Sequence, residues 1–355
     1  MTPLSPSFVA ASPGELAAHV DTAVARIRTR MLPFGGSFAD LADELHRATT
    51  GGKQFRPALV IASADAFGGT DEPSRWQIAA AFELLHTAFL VHDDLIDNDT
   101  MRRGIPNIAG GMRERALARG ASIAGAAQVA DAAALLAGDL LLHEAQRLIA
   151  SAECADAIRI RLLDLLDEAM LVSAAGELAD VAHAALGETP ETEAVLAATH
   201  DKTAVYSFAA PLRAGAALAG ADAQTDRALA TCGSQLGLAY QLVDDLIGTF
   251  GSADQAGRDA GADLREEKQT ALIALARARP AWPELSRTLA AAPTGPIAVL
   301  QAQRALEGTG VREELEHLVR AALDDARATA REHALPAAAI HLVDALAESV
   351  IGRIP

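Results

Sequence analysis

Leu90-Val91-His92-Asp93-Asp94-Leu95-Ile96-Asp97-Asn98-Asp99-Thr100-Met101-Arg102-Arg103-Gly104 joins an apolar helical run to a group of carboxylates, with two arginines just beyond. On a helix, Asp93 and Asp97 stand four residues apart and share a face, with Asp94 about 100° round from Asp93. Like charges at that spacing repel, so the helix end needs a compensating cation. A hard divalent ion suits the donor set, because Mg2+ takes oxygen ligands: one or two carboxylates, several waters and substrate phosphates. Arg102 and Arg103 add forked donors of the geometry a phosphate accepts.

The pattern recurs. Leu238-Ala239-Tyr240-Gln241-Leu242-Val243-Asp244-Asp245-Leu246-Ile247-Gly248 is again an apolar run that ends in paired aspartates. Two such helix ends are expected to face each other across the interior of a helical bundle with metal between them. Acid facing acid in an apolar surround is otherwise prohibitively costly.

The composition around these motifs favours helix. Half of the 355 residues are hydrophobic, aromatics make up only 4%, and Ala, Leu, Glu and Arg dominate over β-branched runs. The expected class is all-α. Length alone suggests two domains, but the composition shows no linker-like shift near the middle. One domain over 1–355 is expected, with a Ser/Pro-rich tail at 1–13. A formal net charge of −17 argues against a nucleic-acid partner, which needs a basic stripe. Only Cys154 and Cys232 are present, without paired spacing, so neither a disulfide framework nor a zinc site is expected and a reducing cytoplasm is. The first residues carry no basic signal-peptide region. The Ala-rich stretch at 123–142 is broken by Gln128, Asp131 and Asp139, so no transmembrane segment is expected.

Apolar periodicity predicts helices at 14–30, 37–49, about 57–68, 73–99, 127–150, 155–186, 190–207 and 223–249. Another opens at 264–270, and packing helices follow at 311–333 and 336–350. Pro280, Pro283, Pro293 and Pro296 break the chain between them into short pieces. The loop Thr49-Thr50-Gly51-Gly52-Lys53-Gln54-Phe55-Arg56-Pro57 combines glycines that let backbone approach an anion with the charges of Lys53 and Arg56. His86 lies about two turns before Asp93, and Lys202 and Thr203 follow His200-Asp201 within a helix. Gly138 and Gly176, inside helices at about 1 kcal/mol each against Ala, signal close helix packing.

Paired carboxylate clusters, basic loops and Ala/Leu-rich helices together describe a site for a diphosphate ester with a long apolar tail. Metals hold the diphosphate, basic groups stabilise charge on the leaving group, and an apolar tunnel takes the tail.

Over nearly its whole length the chain resembles the trans-isoprenyl diphosphate synthases of the polyprenyl synthetase family. The resemblance rests on Gly51-Gly52-Lys53 with Arg56-Pro57, Asp93-Asp94-Leu95-Ile96-Asp97 followed by Arg102-Arg103-Gly104, Lys202-Thr203, Gln241 with Asp244-Asp245, and Lys268 with Thr270. It implies a helical bundle around a central cavity, a homodimer, and three Mg2+ per active site, with Mn2+ as a substitute. It implies that Asp93, Asp97 and Asp244 ligate metal with Asp94 and Asp245 in support. Arg102 and the catalytic groups Lys202, Gln241 and Lys268 are then expected to hold the allylic diphosphate, with Thr203 beside it. Lys53, Arg56, His86 and Arg103 are expected to hold isopentenyl diphosphate. The sequence departs from the family pattern at Gly248, where many relatives have a third aspartate, at Glu177 (usually Gln), at Glu267 (usually Gly) and at Gln54 (often Arg).

The residues one and two turns before Asp93, about 6 and 12 Å down the helix, set product length by this resemblance. They are Phe89 and Leu85, with Ala88 as neighbour. The first cluster has no two-residue insertion of the kind found in bacterial farnesyl diphosphate synthases. The chain looks more like bacterial geranylgeranyl diphosphate synthases, such as those that feed carotenoid pathways. A C20 product is expected, with C15 as the alternative. Rival readings are a non-catalytic partner subunit of a heteromeric synthase and a di-iron bundle built on Glu83-x-x-His86 and Glu314-x-x-His317. The di-iron reading leaves the arginines and lysines without a role.

Overall fold

Two long, largely buried helices each organise one compact unit of the chain. They are described from a computed structural model over residues 13–50, 54–69, 72–102, 104–186, 190–257 and 259–355. Among these residues, one unit comprises 13–164 with 217–220, and the other 165–216 with 221–355.

The first unit contains α1 (Pro13–Met31), α2 (Gly36–Thr49), α3 (Phe55–Ala66), α4 (Glu72–Ile96), α5 (Ile108–Ala118), α6 (Ile123–Ala150) and the opening turns of α7 (Asp156–Ala185). Helix α4 is its axis and packs on α1, α3 and α6. Ile78, Phe82, Leu84, Leu85 and Ala88 are wholly shielded, the signature of a helix apolar around most of its circumference. Helix α6 answers with small side chains, Ala126, Ala130, Ala133, Ala134 and Ala137, which permit close approach. The fully buried Glu144 of α6 is held by Arg26 and Arg147, so its charge is compensated.

Several boundaries differ from expectation. Helix α4 stops at Ile96, not 99, because Asn98 adopts a left-handed backbone (φ 58°). Asp97 nevertheless donates its N–H to the Asp93 carbonyl at 2.9 Å and so keeps the helical phase. Beyond it lies a two-residue hairpin, β1 (Met101–Arg102) antiparallel to β2 (Ile105–Pro106), turning through Gly104 (φ 78°). Helix α5 was not anticipated; Asn107 caps it by accepting from the Gly110 N–H at 2.9 Å. Ser122 starts α6 four residues early in the same way. By length and composition α6 is also apolar enough to cross a bilayer, which corrects the reading of its polar residues as interruptions. Here it packs on α4 and α5.

The second unit holds the rest of α7, α8 (Thr192–Ala204), a π-helical turn at Val205–Ala209, and α9 (Ala210–Leu218), whose last residues belong to the first unit. It continues with α10 (Ala223–Phe250), α11 (Ala253–Ala256), α12 (Ala262–Arg265), α13 (Ala271–Arg277), α14 (Trp282–Leu289), α15 (Pro296–Glu307), α16 (Val311–Glu332) and α17 (Ala337–Ile351). Helix α10, capped by Asp222 on the Thr225 N–H, packs against α8, the π turn, α16 and α17. The expected single helix over 190–207 is thus α8 followed by the π turn, a feature common near functional groups.

Candidate active site

At the end of α4, Asp94 is buried and Asp93 partly exposed. The hairpin brings Arg102 back over them. Its Nε donates to both Asp94 carboxylate oxygens at 2.9 and 3.1 Å, and its Nη2 reaches Asp94 Oδ1 at 2.5 Å and Asp93 Oδ2 at 3.4 Å. Burial raises the Asp94 carboxyl above its ordinary range, while Arg102 pulls it down. Burial also works against the Arg102 charge, but its hydrogen bonds to Asp94 prevail and the guanidinium titrates higher than usual. The grip on Asp94 is bidentate, Asp93 is touched by the same guanidinium, and the Asp97 side chain is exposed. Upstream on α4, Leu85 and Ala88 are fully buried, and Phe89 and His86 half-buried. Gly138 of α6 makes room for the neighbouring His92, whose imidazole lies where a Cβ would project. This is the close packing expected there. Arg56 is half-buried in the first turn of α3, after Gln54 in a left-handed conformation (φ 49°). Lys53 and Arg103, both expected to bind diphosphate, lie outside the described residues.

In the second unit, α10 presents Gln241, Asp244 and Asp245 one turn apart. Asp245 is buried; one oxygen accepts from the Ala271 N–H at 3.0 Å, at the start of α13, and the other lies 3.5 Å from Gln241 Nε2. Burial first, then the nearby Asp263 charge, pushes its carboxyl up to about 8. Asp244 is also raised, by burial against the opposing pull of Arg353. That arginine was not anticipated. It follows α17, donates through Nη2 to Asp244 Oδ1, and stacks over the Tyr240 ring at 4.1 Å. With 2% of its side chain exposed it is among the largest fully buried side chains. Asp263 was missed too: its carboxylate occupies the space into which a side chain at Gly248 would grow. A lone arginine among apolar residues at 350–355 was the one available signal for Arg353, and for Asp263 the Gly248 departure.

Lys202 of α8 is held between Glu177 at 3.0 Å and Asp180 at 3.2 Å, both on α7. Gly176 lets α8 come this near: a Cβ there would meet the Lys202 backbone, and Asp201 C at 2.7 Å. The Glu177 departure therefore places an acid, not an amide, against Lys202. Thr203 is half-buried beside it. Lys268 is exposed and 3.4 Å from Glu266. The preceding Glu267 has φ 54°, which explains why a glycine suits that position.

The donor set fits a hard cation. Among the described residues no group of three or more His, Cys, Asp and Glu side chains gathers closely enough to enclose a metal. Each motif instead offers one or two carboxylates, the share that Mg2+ takes when substrate phosphates and water complete its shell.

Each unit is thus a helical assembly on a buried axis that carries an aspartate pair near its end, with an arginine on each pair. The family model "Polyprenyl synthetase" matches residues 40–303, and the chain belongs to that family. It is 31% identical over 230 residues to a geranylgeranyl diphosphate synthase of Sulfolobus acidocaldarius, covering 64% of each chain. A (2E,6E)-farnesyl diphosphate synthase of Mycobacterium tuberculosis is 34% identical over 247 residues, 69% of this chain and 63% of that one. The chain thus matches slightly under two thirds of the length of these relatives. Among solved structures, the geranylgeranyl pyrophosphate synthase of Corynebacterium glutamicum, complexed with isoprenyl diphosphate and magnesium, superimposes with a TM-score of 0.87 at 27% identity. That alignment covers 96% of this chain and 98% of that one.

Proposed function

We propose that the protein is a short-chain trans-prenyltransferase that condenses isopentenyl diphosphate with allylic diphosphates and makes geranylgeranyl diphosphate. The observation that carries this is the recurrence of an aspartate pair at the end of each axial helix, the first gripped by Arg102 and the second by Arg353. The reading treats both units as one polyprenyl synthetase domain, in keeping with a family match that runs through both. Support for C20 comes from the Sulfolobus and Corynebacterium likenesses. The mycobacterial farnesyl diphosphate synthase supports C15 as the second reading.

Asp93, Asp97 and Asp244 would hold divalent metal, Mg2+ in three sites with Mn2+ able to replace it, while Asp94 and Asp245 orient them. The metal supplies charge neutralisation to the diphosphate as it leaves. Arg102, Lys202, Gln241 and Lys268 bind the allylic diphosphate, with Thr203 beside it. Lys202 then exchanges its contacts with Glu177 and Asp180 for phosphate oxygens. Lys53, Arg56, His86 and Arg103 bind isopentenyl diphosphate. The allylic C–O bond breaks with its electron pair leaving on diphosphate, the isopentenyl double bond supplies the pair for the new C–C bond, and the departing diphosphate takes the proton released. Phe89, with Leu85 and Ala88, limits the apolar tail. A homodimer is part of the reading, supported by the exposed Ile123, Leu135 and Leu136 of α6, and so is a cytoplasmic location, in keeping with a chain of only two cysteines.

The test supplies purified protein with Mg2+, isopentenyl diphosphate and, separately, dimethylallyl, geranyl and farnesyl diphosphates, with products read by mass spectrometry. A C20 product is expected. Termination at C15 moves the product to the second reading, and no condensation with any primer by folded protein overturns the enzyme.

A further inference from the structure

A buried guanidinium is costly unless a carboxylate compensates it. Arg353 meets that cost with Asp244, the aspartate that the proposed reading assigns to metal. Several described contacts hold the segment Gly352–Pro355 around this pair, among them the Gly352 N–H on the Glu348 carbonyl at 2.9 Å. Arg353 lies over Tyr240, whose ring also packs on Phe208 at 5.3 Å. The Arg353 and Ile354 N–H groups close turns onto the Val350 and Ile351 carbonyls at 3.1 Å each. Arg312 of α16, stacked at 4.9 Å over Phe250, donates to the Pro355 carbonyl at 2.5 Å. Gly352 is exposed and Ile354 and Pro355 are half-buried, so Arg353 is what anchors the segment, and its release lets 352–355 open locally. While the guanidinium fills Asp244 Oδ1 that oxygen is not open to a metal ion, and a metal that takes it displaces Arg353.

We propose that Arg353 is the resident cation of Asp244. It holds that carboxylate in the metal-free protein and surrenders it, with release of Gly352–Pro355, when a divalent cation enters with a diphosphate. Arg353 is thereby a positioning residue for metal loading: it keeps Asp244 ordered on α10 and sets the metal concentration at which the second acidic motif fills. The proposal rests on the metal-binding role read for Asp244. Its consequence is reciprocal: whatever tightens Arg353 on Asp244 weakens metal there by the same factor.

The test begins with the wild-type chain, using Mg2+ and inorganic diphosphate as the probe. Hydrogen exchange of peptides covering 350–355 is followed in EDTA and in the probe, alongside calorimetric titration of the same pair. The expected result is binding with faster exchange at 352–355. Arg353→Gln is then expected to melt about 5 °C lower in EDTA and to load Mg2+ with a midpoint about tenfold lower. Arg353→Lys, which retains the charge without the fork, lies between. In an Asp244→Asn background the Arg353→Gln effect on melting disappears. Binding with unchanged or slower exchange at 352–355, or an unchanged Mg2+ midpoint in Arg353→Gln and Arg353→Lys, overturns the exchange and leaves the synthase reading standing. Absence of any Mg2+ and diphosphate binding by the wild type overturns both.

Discussion

The two aspartate-bearing helix ends share a pattern and differ in how they are compensated. At the end of α4 the partner of Asp94 is Arg102, eight residues on, delivered by a local hairpin and still a third exposed. On α10, Asp244 and Asp245 are met from afar: Arg353 stands 109 residues away, and the Ala271 N–H 26. The first end pairs the buried Asp94 with the partly exposed Asp93 beside an arginine that itself reaches solvent. The second is built into the packing of its unit. The same two letters in sequence therefore serve with different electrostatics, because burial, not residue type, decides how expensive an unpaired carboxylate becomes.

The comparison breaks most sharply on activity. Replacing Asp93 or Asp244 by Asn is expected to lower kcat/KM by about a hundred- to a thousandfold in steady-state assays, since each removes stabilisation of the leaving diphosphate. Equal, small effects at both would mean that neither end serves catalysis. Only α4 carries the side chains assigned to chain length, so Phe89→Ala should shift the product beyond C20 by mass spectrometry, while alterations around Tyr240 should not. An unchanged product removes Phe89 from that role.

Stability sharpens the contrast further. Asp94→Ala strands Arg102, and urea denaturation should show a loss of about 2 kcal/mol. The pH dependence should distinguish the ends. In EDTA, Asp245 has a folded value raised to about 8 by burial and Asp263, above its unfolded carboxylate value. The native state binds this proton more tightly, so its contribution is complete below about pH 4 and is lost as pH rises through 8. Asp245→Asn should flatten that slope in melting curves taken between pH 5 and 8. A slope unchanged by the substitution would assign it to other groups. The smallest effect belongs to Glu267, whose left-handed backbone costs about 1 kcal/mol against glycine. Part of any gain is offset by the added freedom of the unfolded chain. Glu267→Gly is expected to stabilise by about 0.5 kcal/mol, and a destabilised variant would show that the Glu267 side chain contributes more than its strain removes.

Much of the fold was legible because helical periodicity and breakers are local signals. The apolar stripes of α1, α2, α10 and α16 and the proline punctuation before α14 and α15 could be read directly. Helix α5, with Ile108-Ala109-Gly110-Gly111 at its start, escaped because paired glycines weaken the intrinsic preference. The candidate site divided along the same line. Asp93, Asp94, Asp97, Asp244 and Asp245 announced themselves as paired acids after apolar runs, and Arg102 by its nearness to them.

Linear order was thus sufficient for the helical class, the family and the acidic motifs, since each rests on spacings within a few turns of chain. Folding alone brought Arg353 onto Asp244, Asp263 beneath Gly248, and Glu177 onto Lys202. Such pairings depend on which helices pack together, and packing is chosen by buried area and volume summed over whole faces, which no local stretch of sequence contains.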